Sequence, residues 1–210
     1  RIFMGKENEP VNSYERVMNR LQGKSVDRVP NLSIVMMFAA RELGVSYCAC
    51  CRDYRLLADA ATLCHERYGI DMICAISDSL REAEGFGTEV VFPESGVPYA
   101  AQMRLRKLSD IDTLKVIDPS LGRRMNDTVE AVRRMRQRAG NDVPVVGWIE
   151  GALAECCDLS KVIKDAYDAK DMDALRQIAN VRIPEVYKRT EEFHEAYYDY
   201  WHTFNKSMGW

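Results

Sequence analysis

Apolar residues recur along this chain at two spacings, and the exchange between them predicts an α/β architecture. Tyr14, Val17, Met18 and Leu21 share one helical face, with Asn12 or Ser13 placed to cap it and Gly23 to end it. Lys24 to Pro30 then turns the chain, because Pro30 pushes Val29 out of helical geometry. Leu32 to Met36 is an apolar run that predicts a buried strand, and Met37 to Leu43 predicts a helix stopped by Gly44. A longer helix is expected from Asp53, its N-cap, to Tyr68, burying Leu57, Ala60, Ala61, Cys64 and Tyr68 and ending at Gly69.

That helix delivers the chain to the stretch from Ile70 to Gly87. Met72 to Ile76 is unbroken apolar sequence ending at Ser77-Asp78, and the absence of alternation predicts a strand buried on both faces, as in a parallel sheet. In barrels of parallel strands, a polar residue at a strand's carboxyl end faces the mouth where the chemistry is done. Asp78 is therefore the first candidate, with Ser77 beside it. Thr88 to Phe92 and Tyr99 to Leu105 flank the turn-rich Pro93 to Pro98 and predict a hairpin on the rim, and Ser109 is placed to cap a short turn. Met125, Val129, Val132, Met135 and Ala139 mark another helix, whose Arg133, Arg134, Arg136 and Arg138 read as a solvated face. Val143 to Ile149 predicts the next strand, and it brings Glu150 to the same mouth-facing position. Beyond Asp158 the strand signal stops: Val162, Ala166, Leu175 and Ile178, then Val186, Thr190, Phe193, Tyr197 and Trp201, lie at helical spacing. The aromatic crowding there reads as packing.

Composition narrows the functional classes. The 210 residues, 47% of them hydrophobic, suffice for a sizeable core. A net charge of -3, with basic residues spread among acidic ones, argues against nucleic acid as the main partner. No apolar run approaches the roughly 20 residues of a membrane span, and residues 1–6 lack a secretion core, so a cytoplasmic protein without a membrane partner is expected. Arg1 in first place, ahead of Met4, suggests a fragment or trimmed product. Seven cysteines point to reduced thiols, and Cys48, Cys50 and Cys51 lack the second close pair that a zinc knuckle needs.

Three landmarks in order carry a resemblance: Gly23-Lys24-Ser25-Val26-Asp27-Arg28-Val29-Pro30, the stretch Ile70 to Gly87, and Val145-Val146-Gly147-Trp148-Ile149-Glu150-Gly151. Together they resemble the uroporphyrinogen decarboxylase superfamily, which also holds cobalamin-dependent methyltransferases. The resemblance implies the N-terminal portion of a (β/α)8 TIM barrel over residues 1–157, followed by a helical tail over 158–210. A whole barrel takes eight strands and typically about 250 residues, so this one is expected to be partial, with open strand edges that invite self-association. The tail, through Asp158-Leu159-Ser160, Phe193-His194-Glu195-Ala196-Tyr197, Asn205-Lys206 and Gly209-Trp210, weakly resembles the helical end of family 20 glycoside hydrolases, whose catalytic pair lies on a barrel not matched here.

The superfamily resemblance also implies chemistry. A strand-end aspartate at Asp78 resembles the carboxylate that gathers the pyrrole N–H groups of a bound tetrapyrrole. The stretch Met36-Met37-Phe38-Ala39-Ala40-Arg41-Glu42-Leu43 resembles the family's arginine motif. Arg41 is kept to meet an anionic group, but Met37 and Phe38 stand where a guanidinium and an amide would be. A thioether and a phenyl ring cannot hold a polycarboxylate, so decarboxylation of uroporphyrinogen is the alternative and the methyltransferase branch the first reading. That branch implies methyl transfer between a methylated corrinoid and a thiol, with a corrinoid or other tetrapyrrole, or a corrinoid-carrying protein, as partner. It also implies a zinc ion held by a His-x-Cys pair and a later cysteine, and none of His65, His194 and His202 stands in that arrangement. A non-catalytic tetrapyrrole- or partner-binding module remains the rival from a different class. Each candidate also has a plain structural reading: Asp78 as the N-cap of Leu80 to Glu84, Arg41 as a surface ion pair, Glu150 as a solvated loop residue.

Overall fold

The computed structural model describes residues 11–106, 110, 113–115, 118–150, 165, 168–173, 195 and 206. Helix α1 (Ser13–Leu21) starts where the Asn12 side chain accepts the Glu15 amide at 2.8 Å. Helix α2 (Met36–Leu43) ends at Gly44, whose φ of 78° is the left-handed geometry that a glycine adopts without penalty. Helix α3 (Tyr47–Arg52) is capped by Ser46, and α4 (Tyr54–Tyr68) by Asp53, whose carboxylate accepts the Arg55 amide at 2.8 Å. There follow β1 (Ile73–Cys74), α5 (Leu80–Gly85), β2 (Glu89–Val91), β3 (Tyr99–Gln102), α6 (Arg123–Ala139) and β4 (Val145–Val146).

The strands β1 and β4 run parallel, Ile73 opposite Val145 and Cys74 opposite Val146. The Ile73 and Ala75 amides donate to the Pro144 and Val146 carbonyls at 3.0 and 2.9 Å, so the pairing reaches a residue beyond the ladder. Helices α4 and α6 cover this pair, and Leu57, Ala58 and Ala61 meet Ile73, Ala75, Ala131, Val132 and Met135 in one buried cluster. A second cluster joins Ala39 and Ala40 to Tyr47, Cys50, Cys51, Ala60, Cys64 and Ile70. Strands β2 and β3 form the expected antiparallel hairpin, with an irregularity between Glu89 and Val90.

At the amino end of β1, Asp71 is fully buried and collects five donors. The Arg28 guanidinium grips it at 2.5 and 2.9 Å, and Arg16, Ser13 and the Asn31 amide add bonds of 2.8, 2.9 and 2.8 Å. Arg16 in turn holds Asp27 at 2.7 and 2.8 Å. Asp27 and Arg28 of the first sequence landmark thus tie α1 to the amino end of β1.

One expected strand is corrected. Residues 31–35 form no ladder among the described residues, Leu32 and Ile34 are 45% and 46% exposed, and Met36 already opens α2. Apolar content alone does not make a strand; a neighbour must take up the backbone groups, and here the segment meets the approach to β1 through the Asp71 amide on the Asn31 carbonyl at 2.7 Å. The strands of the described residues make two two-stranded sheets, so the mixed α/β character is present and a closed barrel is not among those residues. The short turn at Ser109, the boundary at 157/158 and the helical stripes of the tail, with its glycoside-hydrolase likeness, fall outside the described residues apart from isolated positions.

A candidate site at the carboxyl ends of the paired strands

The ladder relates β1 to β4 by an offset of 72 residues, since Ile73 faces Val145. Asp78 and Glu150 each follow by four residues the last paired residue of their strand, Cys74 and Val146. Two acidic residues thus leave the same end of two neighbouring parallel strands.

Asp78 is deeply placed, with a side chain 6% exposed against 7% for its partner Arg124. Its Oδ2 takes a short ion pair from Arg124 and a hydrogen bond from the Ser77 hydroxyl at 2.9 Å, while Oδ1 accepts the Leu80 amide at 3.2 Å. Three of a carboxylate's roughly four acceptor positions are therefore filled from within the chain. Burial pushes this carboxyl up, but Arg124, Arg81 and Ser77 outweigh it and keep Asp78 below the ordinary aspartate range. Burial likewise opposes the Arg124 charge, and Asp78 and Glu84 overcome it. The Leu80 bond steadies the approach to α5, but the N-cap position itself falls to Ser79, which makes no side-chain cap bond, so the N-cap reading of Asp78 is corrected.

The surrounding groups are bound to backbone as much as to each other. Arg81 donates to the Ser77 hydroxyl through Nε at 3.2 Å and Nη2 at 2.5 Å, to the Cys51 carbonyl at 3.4 Å and, in a short bond, to the Arg124 carbonyl. Arg124 reaches Glu84 at 2.9 Å and the Cys51 carbonyl at 3.2 Å, and the Tyr47 hydroxyl donates to the Ser77 carbonyl. Glu82, 3% exposed, is pushed up to about 7, chiefly by burial and further by the charges of Glu150 and Asp78, against the pull of Arg81. Glu82 thereby senses both strand-end carboxylates.

Of the residues singled out in the sequence, Ser77 and Asp78 are joined directly, and Glu150, half-buried and accepting the Trp148 indole N–H at 2.9 Å, reaches them through the shared field on Glu82. Arg41 stands apart, exposed on α2 beside Glu42, and no described contact links it to Asp78. Arg81, Glu82 and Arg124 were not anticipated. For the first two a signal existed: in Ser77-Asp78-Ser79-Leu80-Arg81-Glu82 they fall four residues after Ser77 and Asp78, one helical turn from the strand end.

The Cys48, Cys50 and Cys51 cluster lies on α3 with all three side chains buried, and burial raises each thiol, Cys50 to about 11. These are inert core thiols. Among the described residues no group of three His, Cys, Asp or Glu side chains could hold a metal ion. His65 turns its Nδ1 to the Ile70 carbonyl at 2.6 Å, and neighbouring Cys64 is buried in the core. The described residues therefore do not fit the zinc site that the family likeness implies, and His194 and His202 lie outside them. No described helix is long and apolar enough to cross a membrane.

A family profile described as Uroporphyrinogen decarboxylase (URO-D) matches residues 12–172. No curated protein matches. Among solved structures, a methyltransferase from Methanosarcina mazei superposes with a TM-score of 0.65 at 24% identity, over 89% of this chain. The chain spans 57% of that structure's length.

Proposed function

This chain belongs to the uroporphyrinogen decarboxylase family, and from that premise we propose that it serves methyl transfer between a methylated corrinoid and a thiol, with the substrate seated over the carboxyl ends of β1 and β4. The observation that supports the reading is the parallel pairing of β1 with β4, after whose carboxyl ends Asp78 and Glu150 follow in sequence, both acting on the charge of Glu82. Asp78 keeps one acceptor position open for an N–H of the ligand while it fixes Arg124. Glu150 lines the mouth, and Ser77 is held by Arg81 and orients Asp78. No step is assigned to zinc, because the described residues do not offer its ligands. The arginine motif of the decarboxylases supports this choice by its erosion, since Met37 and Phe38 are 49% and 45% exposed and bring no guanidinium to the mouth.

The test is an optical titration of the chain with methylcobalamin and, in parallel, with a porphyrinogen analogue, followed by an assay of thiol methylation with and without added zinc. The expected result is saturable methylcobalamin binding, weakened about tenfold in Asp78→Asn by loss of one charged acceptor, together with methylated thiol product. Preference for the porphyrinogen analogue would return the reading to decarboxylation. Corrinoid binding without turnover would make the chain a binding module.

A further inference from the structure

A cleft of about 600 Å³ opens between the end of α3, helix α5, Phe92 and the start of α6. Four guanidinium groups line it, those of Arg52, Arg81, Arg123 and Arg124, against one carboxylate, that of Glu84. Glu84 is already taken by Arg124 at 2.9 Å, and Arg124 is further neutralised from below by Asp78. Arg52 and Arg123 differ: both are exposed, and neither forms an ion pair among the described residues.

The wall gathers these charges and holds them in place. The Phe92 ring lies 5.4 Å from the Arg52 guanidinium carbon and 4.8 Å from that of Arg124, so one aromatic side chain keeps two cations at the same opening. The start of the 17-residue helix α6, which has no side-chain cap, forms part of the same wall and adds the positive end of its dipole. Held together, such charges repel unless an anion joins them, and a guanidinium fork matches the paired oxygens of a phosphate or carboxylate.

We infer that this cleft is an oxyanion-binding site, taking a phosphate or carboxylate group of a small-molecule ligand, with Arg52 and Arg123 as its gripping residues. It shares Arg124 with the Asp78 cluster, so the anion it holds belongs to the far end of the ligand seated at the strand ends; only that last step rests on the proposed function.

The experiment uses inorganic phosphate and tricarballylate as probes, titrated calorimetrically into the full chain at low ionic strength. Saturable binding of one probe is expected, with the Kd raised about tenfold in Arg52→Gln and in Arg123→Gln, as for loss of one charge-assisted contact. Arg55→Gln, an exposed arginine outside the cleft, serves as control and leaves the Kd unchanged. Circular dichroism confirms that each variant is folded. Phosphate binding assigns a phosphorylated ligand, and tricarballylate binding a carboxylate. Binding of neither probe by the folded chain, or equal loss in Arg55→Gln, overturns the inference. A chain that binds an anion at Arg52 and Arg123 but takes no methylcobalamin keeps this site while the methyl-transfer reading fails, and the converse separates the two the other way.

Discussion

Asp78 and Arg124 face each other almost without water, so each is tolerable only in the presence of the other. Asp78→Asn leaves a buried guanidinium with Glu84 as its remaining carboxylate partner and is expected to cost about 3 kcal/mol in urea unfolding, whereas Asp78→Asn combined with Arg124→Met recovers much of that loss. Glu82 gives a second prediction at this scale. Its folded carboxyl is raised from 4.5 to about 7, so the folded chain holds a proton that the unfolded chain has released, and stability falls as pH rises between those values. Glu82→Gln, which copies the protonated form, is expected to flatten that fall and to be the more stable protein at pH 8, read from unfolding midpoints across pH 4 to 8. Asp78, Ser77 and Glu150 stood out in the sequence as candidates because they are polar residues that end apolar runs. Arg124 was not, since an arginine at the start of a charged helix looks the same whether it meets water or a buried carboxylate.

Among the elements, the helices were legible through their ends. Asn12, Asp53, Gly44 and Gly69 sit at the caps expected of them, because capping depends on neighbours only a few residues away. Helix α3 went unrecognised; six residues carry too little periodicity, and three cysteines drew attention to metal chemistry instead. The strand expected at Leu32 to Met36 failed for the opposite reason, since pairing depends on a distant partner. The basic stripe of α6 proved largely structural: Arg134 and Arg138 clasp Asp59 of α4 at 2.8 and 2.6 Å. The helix is anchored by its other side, where Met135 is fully buried. Met135→Ala is expected to lose about 2–5 kcal/mol through the cavity it leaves, while Gln137→Ala on the exposed face stays within about 0.5 kcal/mol, both measured by denaturant unfolding.

For the molecule as a whole, the two ends of β1 have separate duties. The amino end carries the Asp71 clamp and the carboxyl end the candidate site. Burial alone would raise Asp71, but Arg28, Asn31, Ser13 and Arg16 hold it down at about 2, from an ordinary 3.8. A depressed acid contributes its stability in full above 3.8 and loses it as pH falls through about 2, so acid unfolding is expected to begin in that window and to move to higher pH in Arg28→Gln. Family membership was legible because its landmarks sit at these two ends. The number of strands that would accompany them was not, because closure of a sheet is set by residues far apart in the chain.

The parallel pairing of Ile73 with Val145 also says when such a site comes into being. Bringing those residues together closes a long stretch of chain, an entropic toll met before any reward from the contact, and topologies of this kind fold slowly. While β4 is still undocked, Glu150 has no fixed place beside Asp78, and a half-folded chain offers a ligand only scattered charges. Competence for binding should therefore appear late in refolding, in step with the last long-range contact rather than with the early growth of helices.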